Sequence, residues 1–225
     1  MGRNILNTTI LAMGLALAGA AAHAAQLTVT SYDMPNGDGQ ASGGSYNYWD
    51  AGYSGAGSAT TDGAALSGGL GKLTDGFISS QPWFLVSNAA GTGDYVGWLL
   101  STTPNPTVTF HFSGSVTVND IQIQMDNTGA GGVFAPGSII VDGISEAFTP
   151  PPIGTVGVVD LSGLNFTGSS HTVQFQQLPG TWTFISEVQF FGGAVPEPAT
   201  WALLIGGLAM TGAALRRRRT GAIAA

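Results

Sequence analysis

Thr107-Val108-Thr109-Phe110-His111-Phe112 and, just beyond it, the run Val116 to Gln124 decide the fold. The first alternates polar and apolar side chains, and the second continues cleanly through Val118, Ile121, Ile123 and Met125. A period of two places every other side chain on one face of a strand, so each run buries one face and wets the other. Working outward, similar runs recur at Leu27 to Tyr32, Ser138 to Val141, Val156 to Leu161, His171 to Gln176 and Trp182 to Phe191. Gly, Pro, Asn and Ser separate them, and helical periodicity is nearly absent. About eight strands at turn-punctuated intervals predict an all-β, antiparallel jelly-roll sandwich. Residues 35–69 are different, being rich in Gly, Ser and Ala. They read as a long loop region, too polar for the core, with one short embedded strand.

Both ends of the chain carry a different pattern. Arg3 gives a short positive region, Ile10 to Ala22 an apolar core too short to span, and Ala22-His23-Ala24 the small residues a signal peptidase reads. Residues 1–24 are therefore expected to be a signal peptide cleaved after Ala24, the alternative being an uncleaved anchor. At the other end, residues 196–225 begin with Pro196-Glu197-Pro198 and Trp201, and the uncharged stretch 199–215 stops at Arg216, Arg217, Arg218 and Arg219. As a helix, 17 residues span about 26 Å, at the short end for a bilayer core. Trp201 suits an interfacial anchor and the arginines a cytoplasmic stop. Pro196 and Pro198 keep Glu197 in an extended segment outside the membrane.

This tripartite pattern resembles the PEP-CTERM sorting signal of exopolysaccharide-producing Gram-negative bacteria. The resemblance implies processing by exosortase, a membrane enzyme, and delivery to the outer envelope, cell surface or extracellular matrix. A plain tail anchor is the other reading. Either way, residues 25–195 form the exported domain.

That domain holds one basic residue, Lys72, against twelve acidic ones, a net charge of −11. Nucleic acid and anionic lipid are thereby excluded as partners of a basic patch. The chain has no cysteine, so no disulfide supports an exported fold.

Gly71-Lys72-Leu73-Thr74-Asp75-Gly76 precedes Trp83, then Tyr95-Val96-Gly97-Trp98 and Gly132-Val133-Phe134-Ala135-Pro136-Gly137 follow, and Phe184 to Gly192 closes the domain through Ser186-Glu187. This order resembles the galactose-binding-like, discoidin-type domain of many carbohydrate-binding modules, over roughly Leu70 to Gly192. The resemblance implies a structural Ca²⁺ held by Asp75 and Glu187, with Ser80 and backbone near Leu73 and Ser80 completing an oxygen shell. Without an ion, Asp75 makes an Asx turn with Gly76 and Glu187 is a solvated strand residue.

Tyr46, Tyr48, Trp49 and Tyr53, with Asn47 and Asp50 between them, supply aromatic faces and hydroxyl partners for a sugar. The competing reading folds these rings back as a lid on the sandwich. Trp83, Trp98 and Trp182, at the edges of apolar runs, are expected in the core.

Catalysis finds little support. His23 falls in the signal, His111 alternates with phenylalanines and is expected to face solvent, and His171 opens a strand. No histidine pair at metal spacing and no Gly-x-Ser-x-Gly turn occurs. Asp126 and Asp142 are glycosidase candidates only generically. The expectation is a non-catalytic surface or matrix protein associated with polysaccharide. A lectin-like module is the alternative, and a matrix glycan hydrolase a third.

Overall fold

The computed structural model describes residues 24–40 and 45–194. The body of the expected signal peptide lies outside the described residues. So do Pro196, Glu197, Pro198, Trp201, the span 199–215 and Arg216 to Arg219. Among the described residues no helix is long and apolar enough to cross a membrane.

The described elements are β1 (Ala25–Leu27), β2 (Val29–Pro35), β3 (Gly39–Gln40), β4 (Tyr46–Asn47), β5 (Ala65–Gly69), α1 (Trp83–Val86), β6 (Val96–Leu99), β7 (Thr107–Asn127), β8 (Ser138–Val141), β9 (Ile144–Glu146), β10 (Thr155–Leu161), β11 (Phe166–Gln176) and β12 (Trp182–Ala194). Every ladder between them is antiparallel. The strand order runs β1-β12-β7-β11-β8-β9, with β10 and β2 also on β7, β5 on β2 and β6 on β12.

β7 is the seam of the sandwich. The two runs expected as separate strands form one strand of 21 residues, because Ser113, Gly114 and Ser115 stay extended and exposed rather than turning. Its first half pairs with β2 and its second half with β12 and β10, while β11 follows it across the change. The alternation read from sequence now has a physical meaning. Val108, Phe110, Ile121 and Ile123 are fully buried between the layers, where they meet Val173, Phe175, Val188 and Phe190. Phe110 and Phe190 bring their ring centroids to 4.8 Å.

The Gly-rich region departs most from expectation. Residues 35–69 contribute β3, β4 and β5, and they bury Asn36, Asp38, Tyr48, Asp50, Tyr53 and Leu66. Polar residues can be core here because each is bonded. The Asn36 carboxamide oxygen accepts from the backbone of Gly37 and Asp50, both at 2.9 Å, and its amide donates to Ser58 and Thr61 carbonyls at 3.2 Å. Asp38 accepts from the Leu99 N–H and the Thr103 hydroxyl at 2.7 Å.

The histidines also differ from expectation. His111 is half-buried, its Nε2 2.8 Å from an Asp33 carboxylate oxygen, rather than free in solvent. His171 is buried mid-strand, its Nδ1 2.6 Å from Asp142. Trp83 and Trp98 are core as expected, and Trp182 packs half-buried at its border.

Candidate functional site

The segment from Gly71 to Gln81 lies against β12 and reaches the face of the β7–β12 ladder that points away from the main core. It is anchored at its start. Leu73 is fully buried, and Lys72 threads inward so that its ammonium donates to the carbonyls of Trp49 and Gly91 at 2.6 Å and of Tyr95 at 3.4 Å. Burial pulls the Lys72 pKa down to about 8, with Asp50 opposing the shift. Gly71 passes so close to the Asp50 carboxylate and the Tyr32 hydroxyl that a Cβ would collide with both. Asp50 itself is fully buried and accepts from the Tyr32 hydroxyl and the Lys72 N–H.

Beyond that anchor the segment turns. Asp75 accepts from the Phe77 N–H at 2.8 Å, the Asx turn that the Asp-Gly pair suggests, and Gly76 takes φ +82°, where a side chain would be strained. The Gly76 N–H then donates to the Glu187 carboxylate at 3.2 Å. The structure thus brings Asp75 and Glu187 to one crossing, although 111 residues separate Gly76 from Glu187.

Glu187 is not the solvated residue that the ion-free reading implied. It is 3% exposed, and burial raises its pKa to about 7, reinforced by the charge of Asp75. Strand alternation explains its position. Val188 and Phe190 face the core, so Glu187 and Gln189 face the other way, under the segment. A bulge between Ile185 and Glu187 shifts the register so that Glu187 stands opposite Gln124.

Among the described residues the ion pairs are His111–Asp33 and His171–Asp142, so no cationic side chain reaches Glu187. Instead the Gln124 amide donates to the Ser79 carbonyl, while its oxygen is buried without a partner. The Thr74 hydroxyl is likewise buried and unpartnered. Glu187 and Thr74 border an open cleft of about 280 Å³ whose other polar walls are Gln26, Thr28 and Gln189. A smaller recess shares Glu187 and Gln189 with the cleft and is walled by Gln122, Gln124, Ile78 and Val158.

Two other expected contributors lie on the same segment. Leu73, expected to offer its backbone carbonyl, sends its side chain into the core. Ser80 is exposed, whereas its neighbour Ser79 is buried and donates to Asp94 at 2.7 Å. Gln124 and Thr74 were not legible as site residues from sequence. The one signal for Gln124 was its polar place in the alternating β7 run.

Of the aromatic quartet, Tyr48 and Tyr53 fold back onto the sandwich, while Tyr46 and Trp49 stay partly exposed. Tyr48 is 1% exposed, its ring 4.4 Å from Phe184 and 5.1 Å from Trp182. Tyr53 is buried, its hydroxyl donating to the Tyr32 carbonyl and accepting from the Gly69 N–H at 2.8 Å. Neither presents a face to a ligand. Tyr46 is half-buried, stacked on Tyr48 and edge-on to Trp83. Trp49 is half-buried beside Gly39 and Gly91, and its indole N–H donates to Asp62 at 2.6 Å.

The generic carboxylates are occupied too. Asp126 accepts from the Trp83 and Thr128 N–H groups at 2.8 Å and from the Thr128 hydroxyl at 2.6 Å. Asp142 holds His171 and the Thr172 N–H.

The family model for the discoidin domain-containing receptor 1/2, DS-like domain, matches residues 28–144, just over half of the chain. The match starts and ends earlier than the stretch from Leu70 to Gly192 on which the sequence resemblance was drawn. The model for the PEP-CTERM protein-sorting motif matches residues 194–219. No curated protein matches the chain. Among solved structures, a part of the Streptococcus pneumoniae beta-galactosidase BgaA is 14% identical over 54% of this chain and 83% of that one, with a TM-score of 0.37. CpGH89CBM32-6 from Clostridium perfringens is 15% identical over 54% and 83%, with a TM-score of 0.35. A fucolectin from striped bass (Morone saxatilis) serum is 12% identical over 54% and 40%, with a TM-score of 0.38.

Proposed function

We propose, from the premise that the chain belongs to the family of discoidin domain-containing receptor 1/2 DS-like domains, that it is a non-catalytic binding protein exported for display at the cell surface. The observation that carries this reading is the PEP-CTERM motif at residues 194–219, joined directly to the end of the sandwich. Exosortase is the partner that the motif calls for. The destination is the outer envelope or extracellular matrix of a Gram-negative cell, among its exopolysaccharide. The ligand surface is the cleft beside Glu187. Gln26, Thr28 and Gln189 offer amides and a hydroxyl, which suit the hydroxyls of a neutral polysaccharide. A polyanionic glycan is disfavoured by the −11 charge of residues 25–195.

Intact mass of the protein recovered from envelope and medium tests the sorting. A species starting at Ala25 and ending near Pro196 to Pro198 supports it, and a species retaining Trp201 to Ala225 refutes it. Titration with neutral polysaccharides tests the cleft. Saturable binding lost in Gln189→Ala supports the assignment, and binding unchanged by that substitution refutes it.

A structural Ca²⁺ at the same crossing is a second reading, favoured by the unpartnered oxygens of Gln124 and Thr74 beside a buried carboxylate. Asp75 and Glu187 would be its charged ligands, and these hydroxyl and amide oxygens suit a hard cation. The described residues contain no group of three acidic or histidine side chains, so neutral oxygens, the Ser80 hydroxyl and Leu73 carbonyl among the expected ones, must complete the shell. A bound Ca²⁺ would supply the positive charge that Glu187 lacks and tie the segment to β12. A Ca²⁺-dependent rise in Tm that Asp75→Asn abolishes supports this reading, and no rise refutes it.

A further inference from the structure

β12 does not end short of the sorting motif. Gly192, Gly193 and Ala194 stand opposite Val118, Thr117 and Val116 on β7, and Gly192 also stands opposite Ala25 on β1. In the sequence only Val195 separates Ala194, the last described residue of this ladder, from Pro196. Two residues of fully extended chain reach about 7 Å. An enzyme that grips an extended chain does so through main-chain hydrogen bonds on both sides of the point it attacks. Main-chain groups already used in a ladder are not available for that grip.

The strand is built to part at one place. Its register shifts between Phe191 and Gly192, so the ladder is already interrupted there. On the inner side of that break, Phe190 is fully buried, 4.8 Å from Phe110 and 5.4 Å from Phe112. Beyond the break, two glycines have no side chain to withdraw from the core. Gly192 also runs so close to the Thr117 carbonyl that any Cβ would collide with it, and Gly193 faces open space.

We propose that Gly192-Gly193-Ala194 is a release segment, which must leave the sheet before the processing enzyme can engage Pro196-Glu197-Pro198. Phe190 and the residues before it hold the fold meanwhile. The inference rests on the sorting reading of the C-terminal motif. It makes the end of the sandwich part of the substrate that the enzyme recognises, and it links sorting to the pairing of β1 with β12.

The chain has no cysteine, so a designed cross-link is unambiguous. Thr117→Cys and Gly193→Cys, on directly opposed residues, would pin the segment to β7 in the full-length protein expressed in its producing cells. Intact mass is the readout. The oxidised double variant should retain Trp201 to Ala225, while each single variant is processed like wild type. A six-residue Gly-Ser insertion between Ala194 and Val195 should restore processing of the cross-linked chain. Wild-type processing of the cross-linked protein without the insertion would overturn the inference. Failure of the insertion to restore processing would overturn it too, by showing that the cross-link acts on something other than reach. If wild type itself keeps its tail, the sorting reading falls, and this inference with it.

Discussion

Glu187 stands directly opposite Gln124 across the β7–β12 ladder, and the two side chains, 3% and 5% exposed, share a recess beneath the segment that starts at Gly71. A carboxyl and an amide with an unpartnered oxygen are thus held together, with no cationic side chain among the described residues at the crossing. That pairing makes the site's behaviour depend on pH and on cations.

An unfolded glutamate releases its proton near pH 4.5, whereas burial holds the Glu187 proton to about pH 7. Between those values the folded state binds more protons. The contribution of Glu187 to the stability of cation-free protein is therefore full below about pH 4.5 and is lost as the pH rises to about 7, by at most about 3 kcal/mol. Thermal melts in chelator from pH 4.5 to 8 should show the decline, and Glu187→Gln should flatten most of it. Burial also raises the pKa of Asp38 and Asp50, so a residual slope of the same sign should remain.

Tyr48→Ala should destabilise the domain by roughly 3–5 kcal/mol, because it empties a buried site ringed by Trp83, Trp182 and Phe184. Glycan affinity of the protein that remains folded should not change. Chemical denaturation and a polysaccharide titration, run side by side, separate the two effects. A selective loss of binding with stability intact would return the sugar site to the aromatic quartet.

Lys72→Met should cost about 2–3 kcal/mol, since it leaves the carbonyls of Trp49, Gly91 and Tyr95 without their shared donor. The pH dependence should change as well. The folded pKa of Lys72 is lowered to about 8 from 10.5, so the wild-type fold gains stability as the pH rises through that window. Burial raises the pKa of Tyr32, Tyr48, Tyr53 and Tyr95, which opposes this gain above about pH 9.5 in both proteins. The check is therefore the stability difference between wild type and variant from urea titrations, which should widen from pH 7.5 to 9.5.

Gly71→Ala should lower stability by about 1–3 kcal/mol, because its Cβ meets two buried groups that cannot swing away, the Asp50 carboxylate and the Tyr32 hydroxyl. Gly193→Ala, in open space, should stay within about 0.5 kcal/mol of wild type. Matched melting curves for the pair check both.

What could be read from the sequence followed periodicity. Ser138 to Val141 is a strand with the expected bounds, and Val156 to Leu161 starts one residue early. Such strands bury one face, so their pattern survives in the residue order. Residues 35–69 had no such pattern, because Asn36, Asp38 and Asp50 are held by hydrogen bonds to partners distant in sequence. The Asp75 turn could be read locally, and Glu187 came from the family resemblance. The recess that surrounds Glu187 could not be read, since it depends on a bulge at Ser186 and on which residue of β7 the bulge selects. The same limit hid the fate of Tyr48 and Tyr53, whose exposure is set by how the loop folds back.

Buried Lys72 is the only Lys or Arg between residues 25 and 195. A trypsin-like protease therefore has one bond to cut in the whole exported domain, beside an ammonium clamped by three backbone carbonyls. That class of protease finds no exposed Lys or Arg side chain between residues 25 and 195 for as long as this single side chain stays threaded.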